Sequence, residues 1–161
     1  MKIILEETLK DLMQTRGLKL AAAESCTGGL VSHRITNISG SSEYFYGGVV
    51  SSSNDSKANL LGVSWDTLNT YGAVSRETVL EMARGTRRLF NADIGISISG
   101  IAGPTGAMPG KPVGTTWLGL AAGSGEWARH FIWDGDREQN KLYSSEAALQ
   151  FILDHLEGKL V

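Results

Sequence analysis

Apolar residues recur at helical spacing through Ile4, Leu5, Leu9, Leu12 and Met13, and Gly17 closes the run, which predicts an N-terminal helix. Residues 19–23 are small and apolar and read as a buried strand. The polar turn Glu24-Ser25-Cys26-Thr27-Gly28-Gly29 follows, and Leu30, Val31, Ile35 and Ile38 then return at helical spacing. The pattern is strand, tight turn, helix, with the helix ending near Asn37. Residues 44–52 are aromatic and β-branched and predict a second strand, weakened by Gly47 and Gly48. A short helix through SNDSKANLL stops at Gly62, and another runs from Ser64 to Gly72. Ser75 reads as an N-cap, with Val79, Met82, Ala83, Thr86, Leu89 and Phe90 on one face of the helix after it. Residues 94–99 form a third strand. Residues 115–122 and 127–133 form a hairpin across Gly123 to Glu126. The last helix follows Asp134-Gly135-Asp136 and turns Leu142, Leu149, Ile152, Leu153 and Leu156 inward.

Helices separate the first three strands, which predicts that they run parallel, whereas the hairpin pair is antiparallel. The chain therefore reads as one domain over residues 1–161, an α/β fold. Its predicted form is a three-layer α/β/α sandwich around a mixed, mostly parallel five-stranded sheet. Ligands of such sheets sit beyond the carboxyl ends of the parallel strands. Four polar segments, three of them containing glycine, are expected to meet there, at residues 24–29, 52–57, 99–106 and 134–137. The loop over residues 100–113 holds four glycines and three prolines, and structureless loops of that length are usually functional.

Composition narrows the partners. A net charge of −2 over 161 residues supplies no basic field for nucleic acid. No apolar run reaches the roughly 18–20 residues that span a bilayer, and no N-terminal segment has signal-peptide length, so a cytoplasmic protein is expected. The single cysteine, Cys26, excludes an internal disulfide. The 20 glycines suggest several loops of special backbone geometry.

The candidate chemistry lies in the loops. His33, His130 and His155 fall in helix or strand patterns, which argues against a Ser-His-Asp triad, and no cluster has metal-ligand spacing. A serine activated by a lysine remains. Lys57 follows SSSNDS at a helix start, where the dipole disfavours a cation and helps a lysine act as a base; the alternative is a solvated surface lysine. Ser25 and Thr27 sit where helix N–H groups favour an anion or a developing oxyanion, or they only cap the helix. Cys26 is a rival nucleophile or a small filler. Arg137, poorly placed for the dipole at a helix start, points to an anionic partner such as a phosphate, or to a salt bridge with Asp134 or Glu138.

The motifs ESCTGG, SSNDSK, ISISGIAGPTG, KPVGT and GDR, in that order, resemble the CinA C-terminal domain family. The resemblance covers about residues 9–156. It implies a three-layer sandwich with one antiparallel strand. The implied activity is metal-free, cofactor-free hydrolysis of nicotinamide mononucleotide to nicotinate mononucleotide and ammonia, in pyridine nucleotide recycling. Position by position, it implies Ser25 as nucleophile and Lys57 as its activating base. It implies Ser42, Ser99 and the GIAGP loop with Gly100 and Gly103 as substrate contacts, and Arg137 as a phosphate partner. Thr27, Gly28, Gly29, Ser52 and Asn54 complete the expected binding set. The family commonly carries a tyrosine where this chain has Ser52, and often an arginine where it has Lys141. Tyr44 and Tyr46 are the tyrosines that could replace the missing hydroxyl. The alternative is a catalytically impaired paralogue that binds a nucleotide or a protein. A homodimer is expected by analogy.

Overall fold

The computed structural model describes residues 4–160. The elements are α1 (Ile4–Arg16), β1 (Leu20–Glu24), α2 (Leu30–Thr36), a 3-10 turn (Ser41–Glu43), β2 (Phe45–Val50), α3 (Asn54–Leu61), α4 (Trp65–Tyr71), α5 (Arg76–Leu89), β3 (Ile94–Gly100), β4 (Thr115–Ala122), β5 (Gly125–Ile132) and α6 (Arg137–Leu156). The sheet order is β2-β1-β3-β4-β5. The strand β1 pairs parallel with β2 and β3, and β4 runs antiparallel to both of its neighbours. One strand of five is therefore reversed: the β4–β5 connection is a tight hairpin, and the loop from β3 to β4 carries no helix to cross over the sheet.

The two faces of the sheet bury separate clusters. Leu9 and Met13 of α1, Val31 and Ile35 of α2, and Leu149 and Ile152 of α6 pack on Leu20, Ala22, Ile96 and Ile98. On the other face, Leu61 of α3, Leu68 of α4, and Val79 and Met82 of α5 pack on Ala23. Alternation along β1 sends Ala22 and Ala23 to opposite helical layers. The helix α5 lies close on the sheet because Gly95 and Gly119 carry no Cβ. A Cβ there would come within 2.2 Å of the Ala83 carbonyl oxygen and 2.4 Å of the Val79 carbonyl oxygen. These glycines lie inside the strands predicted at residues 94–99 and 115–122, whereas loop glycines such as Gly28, Gly29, Gly40 and Gly62 have positive φ, as the glycine enrichment suggests.

The apolar stripes are narrower than the periodicity suggests. Leu142, Leu89 and Ile4, expected to face inward, are 44%, 54% and 61% exposed. Each lies at the rim of its stripe, where the neighbouring layer ends. The carboxyl ends of β1, β2, β3 and β5 share one edge of the sheet with the start of β4, and the polar glycine segments emerge there.

Candidate active site

The site begins with the last residue of β1. Glu24 sits between Val50 and Ile98 in register, and the Ser25 N–H continues the ladder to the Ile98 carbonyl at 2.9 Å. The Glu24 carboxylate is 1% exposed and accepts four hydrogen bonds. Thr27 Oγ1 donates at 2.6 Å, the Val31 and Ser32 N–H groups at 2.9 Å each, and Ser32 Oγ at 2.7 Å. The N-cap position of α2, Gly29, has φ +104° and offers no side-chain cap. The helix is thus capped from the preceding strand, and neither Ser25 nor Thr27 caps it. Because a protein carboxylate already satisfies these N–H groups, the start of α2 is no anion site either. The Thr27 hydroxyl, expected to meet substrate, is bonded to Glu24.

Leaving the α2 layer to Glu24, the next side chain faces the other layer. Ser25 Oγ lies 3.1 Å from Lys57 Nζ. Ser53 caps α3 by accepting from the Ser56 N–H, and one turn into the helix Lys57 points inward. Its Nζ donates to the Ser51 carbonyl oxygen at 2.7 Å, and the residue is 1% exposed. No carboxylate among the described residues pairs with it. Burial therefore pushes the Lys57 ammonium below its usual range, because removing water penalises the charged form. The helix start contributes in the same sense. A neutral amine that donates to Ser51 can turn its lone pair toward the Ser25 hydroxyl.

Cys26 is the chemically opposite case. Burial pushes its thiol up to about 12, so the nucleophilic thiolate is suppressed. Its sulfur fills the space left by Gly100, where a Cβ would lie 3.1 Å from Sγ and 2.7 Å from Thr116 Oγ1. The backbone N–H groups of Cys26, Thr27 and Gly29 form no hydrogen bond among the described residues, whereas that of Gly28 bonds to the Ser25 carbonyl.

The GIAGP loop and α6 close the other side. Asp136 and Gln139 form a capping box at the start of α6. Arg137 Nη1 donates to the Gly103 carbonyl at 2.8 Å, not to Asp134 or Glu138. Buried Asn140 holds three strands of chain together. Its Nδ2 donates to the Ala102 and Gly135 carbonyls at 3.0 Å, and its Oδ1 accepts from the Gly135 N–H at 3.0 Å. Between α2 and α6 an open cavity of about 700 Å³ is lined by Thr27, Gly28, Gly29, His33, Arg137 and Lys141. Lys141 Nζ lies 3.6 Å from where a Cβ on Gly28 would be.

Other expected contacts lie elsewhere. Ser42 is exposed in the 3-10 turn before β2, at the amino edge of the sheet. Tyr44 and Tyr46 share that edge, and Tyr46 lies against Lys19. A strand of this length carries them about 17 Å from the carboxyl edge. None of the three reaches Ser25, so neither tyrosine replaces a hydroxyl at Ser52. Ser99 sits at the correct edge, but its buried hydroxyl donates to the Ala73 carbonyl at 2.8 Å. Ser52 and Asn54 are exposed beside the start of α3. Glu24 and Asn140 were not singled out from the sequence, and His33, set aside there as part of a helix pattern, lines the cavity. Only Glu24 carried a signal, an acidic residue closing a strand just before a helix.

The sequence profile of the CinA C-terminal domain matches residues 2–156. The chain belongs to the CinA C-terminal domain family. A putative competence-damage inducible protein of Halothermothrix orenii is 46% identical over 154 residues, covering 95% of this chain and 37% of that protein. A CinA-like protein of Chloroherpeton thalassium is 49% identical over 158 residues, covering 96% of this chain and 38% of that protein. This chain thus spans well under half the length of these curated relatives. Among solved structures, the competence damage-inducible protein A (ComA) of Klebsiella pneumoniae superposes with a TM-score of 0.93 at 32% identity, over 96% of each chain. Competence/damage inducible protein CihA of Agrobacterium tumefaciens does so with 0.90 at 37% identity, over 96% of this chain and 94% of that one. The CinA fold therefore accounts for the whole three-layer arrangement.

Proposed function

We propose that this CinA domain is a serine amidohydrolase that converts nicotinamide mononucleotide and water to nicotinate mononucleotide and ammonia. The observation that carries the reading is the buried Lys57 amine 3.1 Å from Ser25 Oγ, with no carboxylate among the described residues to hold it charged. Ser25 Oγ attacks the carboxamide carbon while Lys57 takes its proton. The free N–H groups of Cys26, Thr27 and Gly29 are the donors left for the developing oxyanion. The Lys57 ammonium then returns the proton to the departing nitrogen, and the C–N bond breaks to release ammonia and leave an acyl ester on Ser25. Water attacks that ester, Lys57 accepts its proton, and Ser25 leaves with that proton as the acid forms. Arg137 and Lys141, which line the cavity beside the turn, are suited to the nucleotide phosphate.

Ammonia release from nicotinamide mononucleotide tests the reading. Turnover by the wild type, abolished in Ser25→Ala and lowered about 10²–10⁴-fold in Lys57→Met, supports it. Binding without turnover favours a second reading, a nucleotide-binding paralogue that has lost catalysis. One observation favours that alternative: Ser52 is exposed, and Tyr44 and Tyr46 lie at the far edge of the sheet. Ser52→Tyr separates the two. A rise in turnover assigns the deficit to the missing hydroxyl, and high wild-type turnover unchanged by the substitution makes that position dispensable.

A further inference from the structure

We infer that Glu24 is the positioning residue of the nucleophile, an internal carboxylate that holds the Ser25 turn in its reactive geometry. The inference rests on the serine and lysine reading above and goes beyond it. Glu24 touches neither Ser25 Oγ nor Lys57; its four donors are Thr27 Oγ1, the Val31 and Ser32 N–H groups, and Ser32 Oγ. The Thr27 bond ties residue 27 back to residue 24 across Ser25 and Cys26. The bonds to Val31 and Ser32 fasten the same carboxylate to the first turn of α2. Ser25 is then fixed from three directions: the ladder bond to Ile98, the Thr27 tie, and the Gly28 N–H to Ser25 carbonyl bond at 3.2 Å.

Among the described residues the side chain has no cation partner, and its four hydrogen-bond partners, two backbone N–H groups and two hydroxyls, donate to it. A carboxylate with its two acceptor oxygens matches four donors, whereas an amide presents one acceptor oxygen and a donor nitrogen. Glu24→Gln therefore turns an N–H group toward one hydroxyl, which can rotate to accept, and one backbone N–H, of Val31 or Ser32, which cannot, and so forces the turn to shift. A misplacement of about 1 Å at a reacting atom costs about 10²-fold in rate.

The test reads Ser25 itself. An alkyl fluorophosphonate reacts with an activated serine: Ser25 Oγ bonds to phosphorus, fluoride leaves, and Lys57 takes the proton. Labelling is followed by intact mass against pH on protein shown to be folded by circular dichroism, beside kcat and KM for nicotinamide mononucleotide. Glu24→Gln is expected to label about 10²-fold more slowly than wild type, with the midpoint of the pH dependence unmoved. Its kcat should fall by a similar factor while KM stays within a few-fold. A role confined to stability leaves the labelling rate of the folded variant unchanged, and that result overturns the inference. So does a moved midpoint, which would place Glu24 in the Lys57 titration instead. If Glu24→Gln does not fold, Thr27→Val carries the test, since it removes only the tie across Ser25. A roughly tenfold slower rate supports the inference and an unchanged rate overturns it. Folded wild type that never labels at Ser25 removes the serine and lysine reading as well, an outcome distinct from equal labelling of wild type and variant.

Discussion

Gly85 lies inside α5, buried against α3, and replacing it with alanine sets two effects of opposite sign against each other. Helix propensity alone favours Gly85→Ala by about 1 kcal/mol. A Cβ at this position, however, would lie 1.8 Å from the Leu61 carbonyl oxygen and 2.7 Å from its carbonyl carbon. Real Cβ contacts essentially never fall below 3.0 Å, so α3 and α5 must part by at least 1.2 Å. Both obstacles are backbone atoms within helices, and no flexible side chain can yield. Overpacking of this kind costs about 1–3 kcal/mol, and a backbone clash belongs at the upper end. The expected balance is a loss of about 1–2 kcal/mol, or roughly 2–8 °C in Tm for a protein of this size. Leu61 is one turn from Lys57, so the same displacement carries the amine away from Ser25. On the proposed amidase reading, turnover is expected to fall about 10²-fold. Urea unfolding followed by circular dichroism gives the stability, and ammonia release gives the turnover. A variant as stable as wild type or more so, with unchanged turnover, refutes the reasoning and shows that the helices separate without cost.

Lys57→Met should be more stable than wild type at pH 7. Because the folded-state pKa of Lys57 lies below its unfolded value, the unfolded chain binds more protons, wild-type stability rises with pH toward about 10.5, and the advantage of the variant should shrink over that window in urea titrations. Tyr44→Phe removes a buried hydroxyl that has no partner among the described residues, so unfolding free energy should stay level or rise by up to about 1–3 kcal/mol. Loss of stability would reveal a partner for that oxygen. Arg137→Ala should weaken calorimetric binding of nicotinate mononucleotide by about 1–3 kcal/mol, the range for a charged hydrogen bond, and unchanged affinity would remove Arg137 from phosphate recognition.

The order of elements was readable because punctuation and periodicity agree. Ser53, Ser64 and Ser75 cap helices, and Gly62 and Gly72 close them, as residues of those types do in isolation. The Ser25 turn was readable for the same local reason. The environment of Lys57 was not: a lysine at the end of the polar run SSSNDS has the local signature of a solvated face. Its burial follows from packing on elements distant in sequence. The position of Ser42 at the amino edge of the sheet was not legible either, since a motif match carries no information about which edge a residue occupies. Gly85, Gly95 and Gly119 fall inside the predicted helix and strands, but their role in close packing was not legible, because the backbone that approaches them lies far along the chain or on another element. Leu89 and Leu142 keep the helical period yet lie at the margins of their faces, where period alone does not say how far the neighbouring layer extends.

The capping of α2 by Glu24 has a consequence for how a nucleotide would be held. A helix start commonly supplies both N–H groups and a favourable dipole to a phosphate. In this protein that position holds an internal carboxylate, and the start of α6 is likewise closed by Asp136. Anion recognition on the proposed mechanism then falls to the side-chain cations Arg137 and Lys141, which can be substituted without disturbing a helix cap. The free N–H groups of the Ser25 turn are left for the oxyanion alone. Lys57 carries the remaining chemistry in both directions. A lowered pKa makes it a weaker acceptor from Ser25 and a stronger donor to the departing nitrogen. Breaking the C–N bond of an amide depends on that donation, since an unprotonated amide nitrogen is a poor leaving group. On the proposed mechanism a longer, phenolic hydroxyl at position 52 would mainly assist proton removal from Ser25, the step that burial of Lys57 makes harder. Ser52→Tyr would then bear on the first proton transfer, and Lys57 on both.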